Sequence, residues 1–375
     1  MSTLTELLGR HVAEGTAPGI LAALGSADEA PEVAAAGDLA PDAVVRIQSM
    51  TKPVLAVATL RLVAAGRLDL DEPVGRWLPE LAAPRVLRTP EGELDDTVPA
   101  RGPVTVRHLL TNTSGYGMIL TPSPLQTAMA ERGIEAGPQP WALPADDWLS
   151  TLAGLPLVGQ PGEVWRYHHS FGMLGILLTR VLGRPLGEHL AEDLLTPLGM
   201  VDTAYLVPAE QAHRLPAAHR REEDGTLVEV DPASSGPFVA ASGGADRADG
   251  APDLSHGELV STLHDYAAFA RMLAAGGVHD GRQMVDPGLL HLMRTDQVPA
   301  VAKTPDSFFP GFWDTSGWGF GVAVETTGPH AGRYGWSGGL GTDVFVDPDG
   351  RYGVLLSQVE MGPPTFRLIA DLQQL

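Results

Sequence analysis

The stretch Arg46-Ile47-Gln48-Ser49-Met50-Thr51-Lys52-Pro53 leads into a long apolar segment that ends near Leu70. Apolar side chains recur every third position over 54–63, a spacing typical of a buried helix face. Gly66 follows the last of these turns and is a candidate C-cap, whereas Pro53 falls in the first turn, where its missing N–H costs little. We therefore predict a helix over 49–66.

Ser49 and Lys52 lie three positions apart at the start of this helix. Residues at this spacing share a helix face, with Cβ atoms roughly 5–6 Å apart, so the hydroxyl lies beside the amine. The positive end of the helix dipole also favours an alkoxide or a bound anion at Ser49. Serine is equally a preferred N-cap, so a cap followed by a solvated lysine explains the same pattern. The pair alone leaves both interpretations open.

The composition narrows the classes of function. With 375 residues, 44% of them hydrophobic, the chain is long enough for two lobes or one large composite domain. It contains no cysteine, which excludes disulfides, thiolate zinc sites and cysteine nucleophiles. The net charge of −21 disfavours nucleic acid and anionic lipid as partners.

The sequence also carries no signal for export, membrane insertion or metal binding. The first residues lack a basic segment followed by an apolar run, and no uncharged run approaches the roughly 20 residues of a membrane span. The histidines form no H-E-x-x-H array. We expect a cytoplasmic protein that needs no cofactor and no metal, and the sequence leaves the oligomeric state open.

Strand patterns lie at both ends of the chain and helix patterns in the middle, which predicts an α/β protein of the α+β type. The closely spaced C-terminal strands predict an antiparallel meander, completed by the N-terminal strand pair and flanked by the terminal helices, next to a mostly helical lobe. We expect a discontinuous α/β domain over 1–75 and 258–375, a helical domain over 76–257, and an active site in the cleft between them. The segment 206–257 reads as a loop, most flexible at Gly243-Gly244 and 246–253, and a loop of this length is expected to border a site. The predicted helices are 3–14, 49–66, 104–110, 146–154, 171–182, 187–195, 260–275, 287–294 and 364–375; the predicted strands are 20–24, 32–38, 318–324, 333–336, 342–346 and 352–357.

Three distant segments become informative together: Ser49-Met50-Thr51-Lys52, Tyr167-His168-His169 and Trp336-Ser337-Gly338-Gly339. In this order and spacing they resemble the motifs of the serine β-lactamase and penicillin-binding-protein superfamily. The class C branch, which includes the family VIII carboxylesterases, is the most similar. The resemblance extends over nearly the whole chain, through Pro18-Gly19, His108-Leu109-Leu110-Thr111-Asn112-Thr113-Ser114-Gly115, Pro161-Gly162-Glu163-Val164-Trp165, Pro197-Leu198-Gly199-Met200, Leu259-Val260-Ser261-Thr262 and Trp318-Gly319-Phe320-Gly321.

The resemblance implies a role for each motif residue. Ser49 would attack a carbonyl carbon and form an acyl-enzyme, with Lys52 as base or proton relay. Tyr167 would share the proton with Lys52 and deliver it to the leaving group. The backbone N–H groups of Ser49 and Gly339 would form the oxyanion hole, with Ser337 and Gly338 beside them.

Two departures from the family pattern bear on the substrate. His169 stands where an asparagine usually contacts the amide side chain of the substrate, which weakens a β-lactam reading. His169 would bind substrate, bear charge near the site, or bond to local backbone. Trp336 stands where a cationic or polar residue usually faces a substrate carboxylate. A tryptophan there implies an uncharged substrate group, although a core aromatic is also possible.

Gly335-Trp336-Ser337-Gly338-Gly339 also matches G-x-S-x-G, the nucleophile elbow of α/β-hydrolases. That motif needs a helix after the serine and a histidine further on, yet strands follow Ser337 and no histidine does. We therefore predict a serine hydrolase that acts on a small neutral ester through Ser49. Amide or β-lactam hydrolysis, acyl transfer to an acceptor other than water, and a non-catalytic binding or sensor protein on the same fold remain alternatives.

Overall fold

A computed structural model describes residues 3–137, 142–240 and 253–375 of the chain. The α-helices are α1 (Thr3–Ala13), α2 (Thr51–Ala64), α3 (Val106–Leu110), α4 (Pro124–Glu131), α5 (Ala145–Ala153), α6 (His169–Leu182), α7 (Leu186–Leu190), α8 (Leu263–Ala274), α9 (Pro287–Met293), α10 (Phe312–Thr315) and α11 (Pro363–Gln373). The strands are β1 (Gly19–Ser26), β2 (Glu32–Gly37), β3 (Val45–Arg46), β4 (Arg85–Leu87), β5 (Thr97–Pro99), β6 (Ala218–Arg221), β7 (Leu227–Asp231), β8 (Val260–Ser261), β9 (Val278–His279), β10 (Arg282–Gln283), β11 (Ser316–Trp318), β12 (Ala323–Glu325), β13 (Tyr334–Gly338), β14 (Thr342–Val346) and β15 (Arg351–Leu356).

A seven-stranded antiparallel sheet forms the centre of the α/β part, in the order β11-β12-β13-β14-β15-β1-β2. The C-terminal meander is thus joined to the N-terminal hairpin through the pairing of β15 with β1, as the sequence predicts. Helices α1 and α11 cover one face of this sheet, and α8 covers the other.

The central strands β1, β14 and β15 are largely buried on both faces, and in β1 and β14 the side chains alternate between two cores. In β1, Ile20 packs with α1 and α11, whereas Leu21 joins the large core that extends into the helical part. In β14, Phe345 and Val344 divide in the same way. Burial on both faces explains the continuous apolar runs of these strands.

Helix α2 lies inside the molecule rather than on a surface, since 11 of its residues are buried. It packs against α6 and α9 and against β13. Val54, Val57 and Leu60 follow the predicted stripe, yet residues between them are equally buried. The predicted helix therefore needs two adjustments: 48–50 form a 3-10 turn before α2, and the helix is buried on most sides rather than along one stripe.

Two other predictions required correction. Residues 318–324 are not one strand, since β11 ends at Trp318 and β12 begins at Ala323. Residues 206–257 are not all loop, because β6 and β7 form a hairpin there. In this predicted flexible part, 241–252 lie outside the described residues. The two-domain division stays a prediction.

Candidate active site

Ser49 lies in the 3-10 turn 48–50, and Lys52 lies in the first turn of α2. Ser49 is 7% exposed and Lys52 only 3%. The Lys52 amine donates a hydrogen bond to the Ser49 hydroxyl oxygen, with 2.8 Å between Nζ and Oγ. The two side chains predicted as nucleophile and base are therefore in direct contact, and the solvated lysine of the alternative reading is not what the structure contains.

The close approach of β13 to the nucleophile turn depends on Gly338. A Cβ atom at this position would lie 2.3 Å from the carbonyl oxygen of Ile47 and 2.2 Å from Oγ1 of Thr342. The strand can therefore lie against 47–48 only because residue 338 has no side chain. This packing brings Gly339 into the cavity that Ser49 lines.

Tyr167 lies just before α6, in a loop held by backbone hydrogen bonds. Its carbonyl oxygen accepts from the Met118 N–H, and the N–H of Arg166 donates to the Asn112 carbonyl oxygen. The Tyr167 hydroxyl accepts a hydrogen bond from the Trp336 indole, with 2.6 Å between Nε1 and the hydroxyl oxygen. The Lys52 ammonium lies 4.9 Å from the centre of the Tyr167 ring. Trp336 thus orients the hydroxyl, while Lys52 faces the ring.

Trp336 belongs to an aromatic cluster around Tyr167. Its ring packs edge-on against Trp318, with ring centres 4.7 Å apart, and against Tyr167, with ring centres 5.4 Å apart. The sequence suggests two roles for Trp336, contact with an apolar substrate group or packing as a core aromatic. The structure adds a further role, because the Trp336 indole donates a hydrogen bond to Tyr167.

The structure does not place His169 in the cavity that Ser49 lines. His169 is fully buried, its Nε2 lies 2.7 Å from the carbonyl oxygen of Ile134, and its ring stacks on Trp148. Burial lowers the pKa of His169 to about 4, so the ring is neutral at neutral pH. The histidine is thus bonded to backbone, as one interpretation expects, but the acceptor residue lies 35 positions away in the sequence rather than nearby.

Ser337 faces away from Ser49. Side chains alternate along a strand, and the Ser337 hydroxyl donates to Oδ1 of Asp343 at 2.6 Å in a separate cavity between the sheet and Gln373. The strand continues into β14 rather than into a helix, so the nucleophile-elbow reading of 335–339 does not fit. The expectation that Ser337 lines the site is likewise not met.

Glu258, which belongs to none of the three motifs, and His168, the middle residue of the second motif, lie near Ser49. Oε1 of Glu258 is 3.5 Å from Ser49 Oγ, 3.6 Å from Lys52 Nζ and 4.0 Å from His168 Nε2. His168 has a backbone φ of 93°, a left-handed conformation that non-glycine residues rarely adopt. Burial is the largest cause that raises the pKa of Glu258, and burial lowers the pKa of His168 well below its ordinary value.

Two cavities meet at this point. One, of about 240 Å³, is lined by Ser49 together with Gln48, Met118, Gly137, Tyr167, His168, Gly339, Glu360 and Met361. The other is mainly apolar and shares Gly137 and His168 with the first. Its further lining is Tyr205, Leu206, Pro237, Phe238, Leu254, His256, Gly257 and Glu258. As expected, parts of the segment 206–257 border the site.

A family model described as Beta-lactamase matches residues 4–374. The chain belongs to the Beta-lactamase family. Esterase EstB of Burkholderia gladioli is 31% identical over 319 residues, which cover 82% of this chain and 74% of EstB. Protein Rv1367c of Mycobacterium tuberculosis is 35% identical over 321 residues, which cover 82% of this chain and 75% of that protein.

A solved structure supports the fold of this Beta-lactamase family member. EstCE1, described as a hydrolase with promiscuous acyltransferase activity, superimposes with a TM-score of 0.76 over 99% of both chains, at 24% identity. The fold class predicted from sequence is confirmed, and the chain is a hydrolase of the serine β-lactamase-like type.

The described residues bear on two expectations, that the chain has no membrane span and that it needs no metal. Within the described ranges, no helix is both long and apolar enough to cross a membrane. Among the same residues, no group of three or more His, Asp or Glu side chains is placed to hold a metal ion. The expectation that no metal is needed stays a prediction.

Proposed function

We propose that this protein is a carboxylesterase that cleaves small neutral esters through an acyl-enzyme on Ser49. The observation that carries the proposal is the 2.8 Å contact between Lys52 Nζ and Ser49 Oγ in a buried setting. A serine hydroxyl becomes a useful nucleophile when an adjacent base accepts its proton. Lys52 Nζ, at 2.8 Å, lies closer to the Ser49 hydroxyl oxygen than Glu258 Oε1 does at 3.5 Å, so a neutral Lys52 amine is placed to accept the serine proton.

Ser49, Tyr167 and Gly339, which act in the reaction, line one cavity. Ser49 Oγ attacks the ester carbonyl carbon while its proton passes to Lys52, and the backbone N–H groups of Ser49 and Gly339 stabilise the developing oxyanion. Tyr167, oriented by Trp336, passes a proton to the leaving alcohol. Cleavage of the Ser49 ester by water then releases the acid.

The charges around Ser49 favour an uncharged substrate. Glu360 lines the cavity, and the Glu258 carboxylate lies 3.5 Å from Ser49 Oγ, so a substrate carboxylate would meet negative groups there. Lys52 is already engaged with Ser49 and Glu258. Trp336 takes the place where relatives carry a group that faces a substrate carboxylate. These features disfavour carboxylated β-lactams.

The apolar parts of the lining support an apolar acyl or alcohol group. Met118, Met361 and the Tyr167 ring line the cavity of Ser49. The adjoining cavity adds Leu206 and Phe238. We therefore expect butyrate and hexanoate esters to be cleaved faster than a chromogenic cephalosporin.

The proposal is tested by labelling the protein with a fluorophosphonate and by assaying p-nitrophenyl esters. We expect Ser49→Ala to abolish both labelling and turnover, and Ser337→Ala to retain both. Turnover that survives in Ser49→Ala but is lost in Ser337→Ala would overturn the assignment. A protein that neither labels nor turns over any ester would be a binding module on this fold.

A further inference from the structure

Glu258 is an ionisable group beside the nucleophile. Neither the attack of Ser49 nor the delivery of a proton to the leaving alcohol uses it. Its Oε1 atom lies 3.5 Å from Ser49 Oγ and 3.6 Å from Lys52 Nζ. The carboxyl group therefore contacts the reacting hydroxyl from a second direction, and Lys52 at 2.8 Å remains the closer partner.

The fold holds Glu258 in this position through a short strand pair. Strand β3 pairs antiparallel with β8, with Arg46 opposite Val260. Continuing this register sets residue 48 opposite residue 258, next to the nucleophile turn. The N–H of Leu259 also donates to Thr51 Oγ1 at 2.8 Å, which anchors the neighbouring residue to the first turn of α2. The backbone directly after Glu258 is thus anchored to the nucleophile helix and to β3.

The surroundings of Glu258 suit a base. Burial raises the pKa of Glu258 from its ordinary value, while Lys52 opposes this shift by favouring the carboxylate. A base works best when its pKa approaches the working pH and when it reaches the proton directly or through one water. A carboxylate oxygen 3.5 Å from the ester oxygen of an acyl-Ser49 is within reach of a water molecule that attacks the adjacent carbonyl carbon.

We propose that Glu258 is the general base of the second half-reaction, the hydrolysis of the Ser49 acyl-enzyme. This inference rests on the proposed acyl-enzyme function. Water forms a bond to the acyl carbon while its proton passes to the Glu258 carboxylate. The tetrahedral intermediate then collapses with cleavage of the carbon–Oγ bond, and the proton moves from Glu258 to Ser49 Oγ. The products are a carboxylic acid and the free serine, and the charge of Glu258 is restored.

The distances and the cavity linings assign different steps to Lys52 and Glu258. Lys52 is closer to Ser49 Oγ and accepts the serine proton in acylation. Glu258 lines the second cavity together with His168, whereas Ser49 lines the first together with His168. Glu258 is therefore at the junction through which an acceptor reaches the acyl-enzyme after the alcohol has left.

Pre-steady-state kinetics with p-nitrophenyl acetate separate the two half-reactions. In Glu258→Gln we expect a burst of p-nitrophenolate close to one equivalent, followed by a steady-state rate that is lower by about 10²- to 10⁴-fold, the usual contribution of a general base. Mass spectrometry of the quenched reaction should find acetyl on the peptide that contains Ser49. In Glu258→Ala, added formate should restore part of the steady-state rate, which a purely structural role of the carboxyl group would not allow.

Glu360→Gln is the matched control, because it removes the same charge from the adjoining cavity, the one that Ser49 lines. It should not accumulate acyl-enzyme, whatever its effect on KM. Loss of the burst in Glu258→Gln, or an unchanged steady-state rate, would overturn the proposal. If Glu258→Gln does not fold, Glu258→Asp must show the same selective slowing of the second phase. Failure of the proposed function is distinguishable, since the wild-type protein would then neither label at Ser49 nor turn over the ester.

Discussion

The hydrogen bond from Trp336 to the Tyr167 hydroxyl provides a sharp test of how the site is oriented. Trp336→Phe keeps an aromatic ring on β13 but removes the donor that lies 2.6 Å from the Tyr167 oxygen. A partly buried hydroxyl that loses its partner costs about 1–3 kcal/mol. If this energy orients Tyr167 in the transition state, kcat for p-nitrophenyl butyrate should fall by about 5- to 150-fold.

Trp318→Phe is the matched control for this substitution. Trp318 belongs to the same aromatic cluster and packs 4.7 Å from the Trp336 ring centre, but its indole donates to the carbonyl oxygen of Leu110. Because Trp318 is fully buried and Trp336 is not, the control should lose at least as much thermal stability. Its kcat should nevertheless stay closer to that of the wild type.

Steady-state kinetics and thermal unfolding of both variants decide the question. The expected pattern is a large loss of kcat in Trp336→Phe with a modest change in melting temperature, and the reverse in Trp318→Phe. Equal kcat values for the two variants would refute the reasoning, because the indole N–H of Trp336 would then contribute nothing beyond packing.

Two further predictions concern buried groups outside the Ser49 cavity. His169→Asn should lower the melting temperature, because the asparagine side chain is too short to keep the bond to Ile134. Acyl-chain preference and KM should stay unchanged. An altered preference would instead show that His169 contacts the substrate. Asp343 should make stability depend on pH, because burial raises its pKa from 3.8 to about 6 although Ser337 and Gln373 donate to it. The folded state then binds the extra proton, so stability falls as pH rises from about 4 to about 6, by an amount on the order of 3 kcal/mol. Asp343→Asn should remove this decline in thermal unfolding curves, and a decline equal to that of the wild type would contradict the assignment.

The sheet and most helices could be predicted from sequence because their patterns are local and strongly apolar. The strand 342–346 has the predicted bounds, and α6 begins within two residues of its predicted start. The boundaries that were missed have local causes. The tight turn between Trp318 and Ala323 divides one predicted strand, and the polar hairpin of β6 and β7 lacks the apolar alternation that indicates a strand.

Only those site residues that belong to the three ordered motifs could be predicted from the sequence. Ser49, Lys52 and Tyr167 could be predicted together, because their motifs occur in a known order and spacing. Glu258 could not be found in this way, since only the pairing of β3 with β8 brings it to Ser49. The sequence leaves the role of His169 open, because the left-handed backbone at residue 168 turns the two histidines in directions that sequence spacing does not reveal.

The pairing of β1 with β15 has a consequence for biosynthesis. These strands come from opposite ends of the chain, and the sheet that presents Gly339 to Ser49 is complete only when both are present. Contacts so distant in sequence form late, after the cost of closing long loops has been met. A nascent chain should therefore carry an inert Ser49 until β15 has been synthesised and has paired with β1.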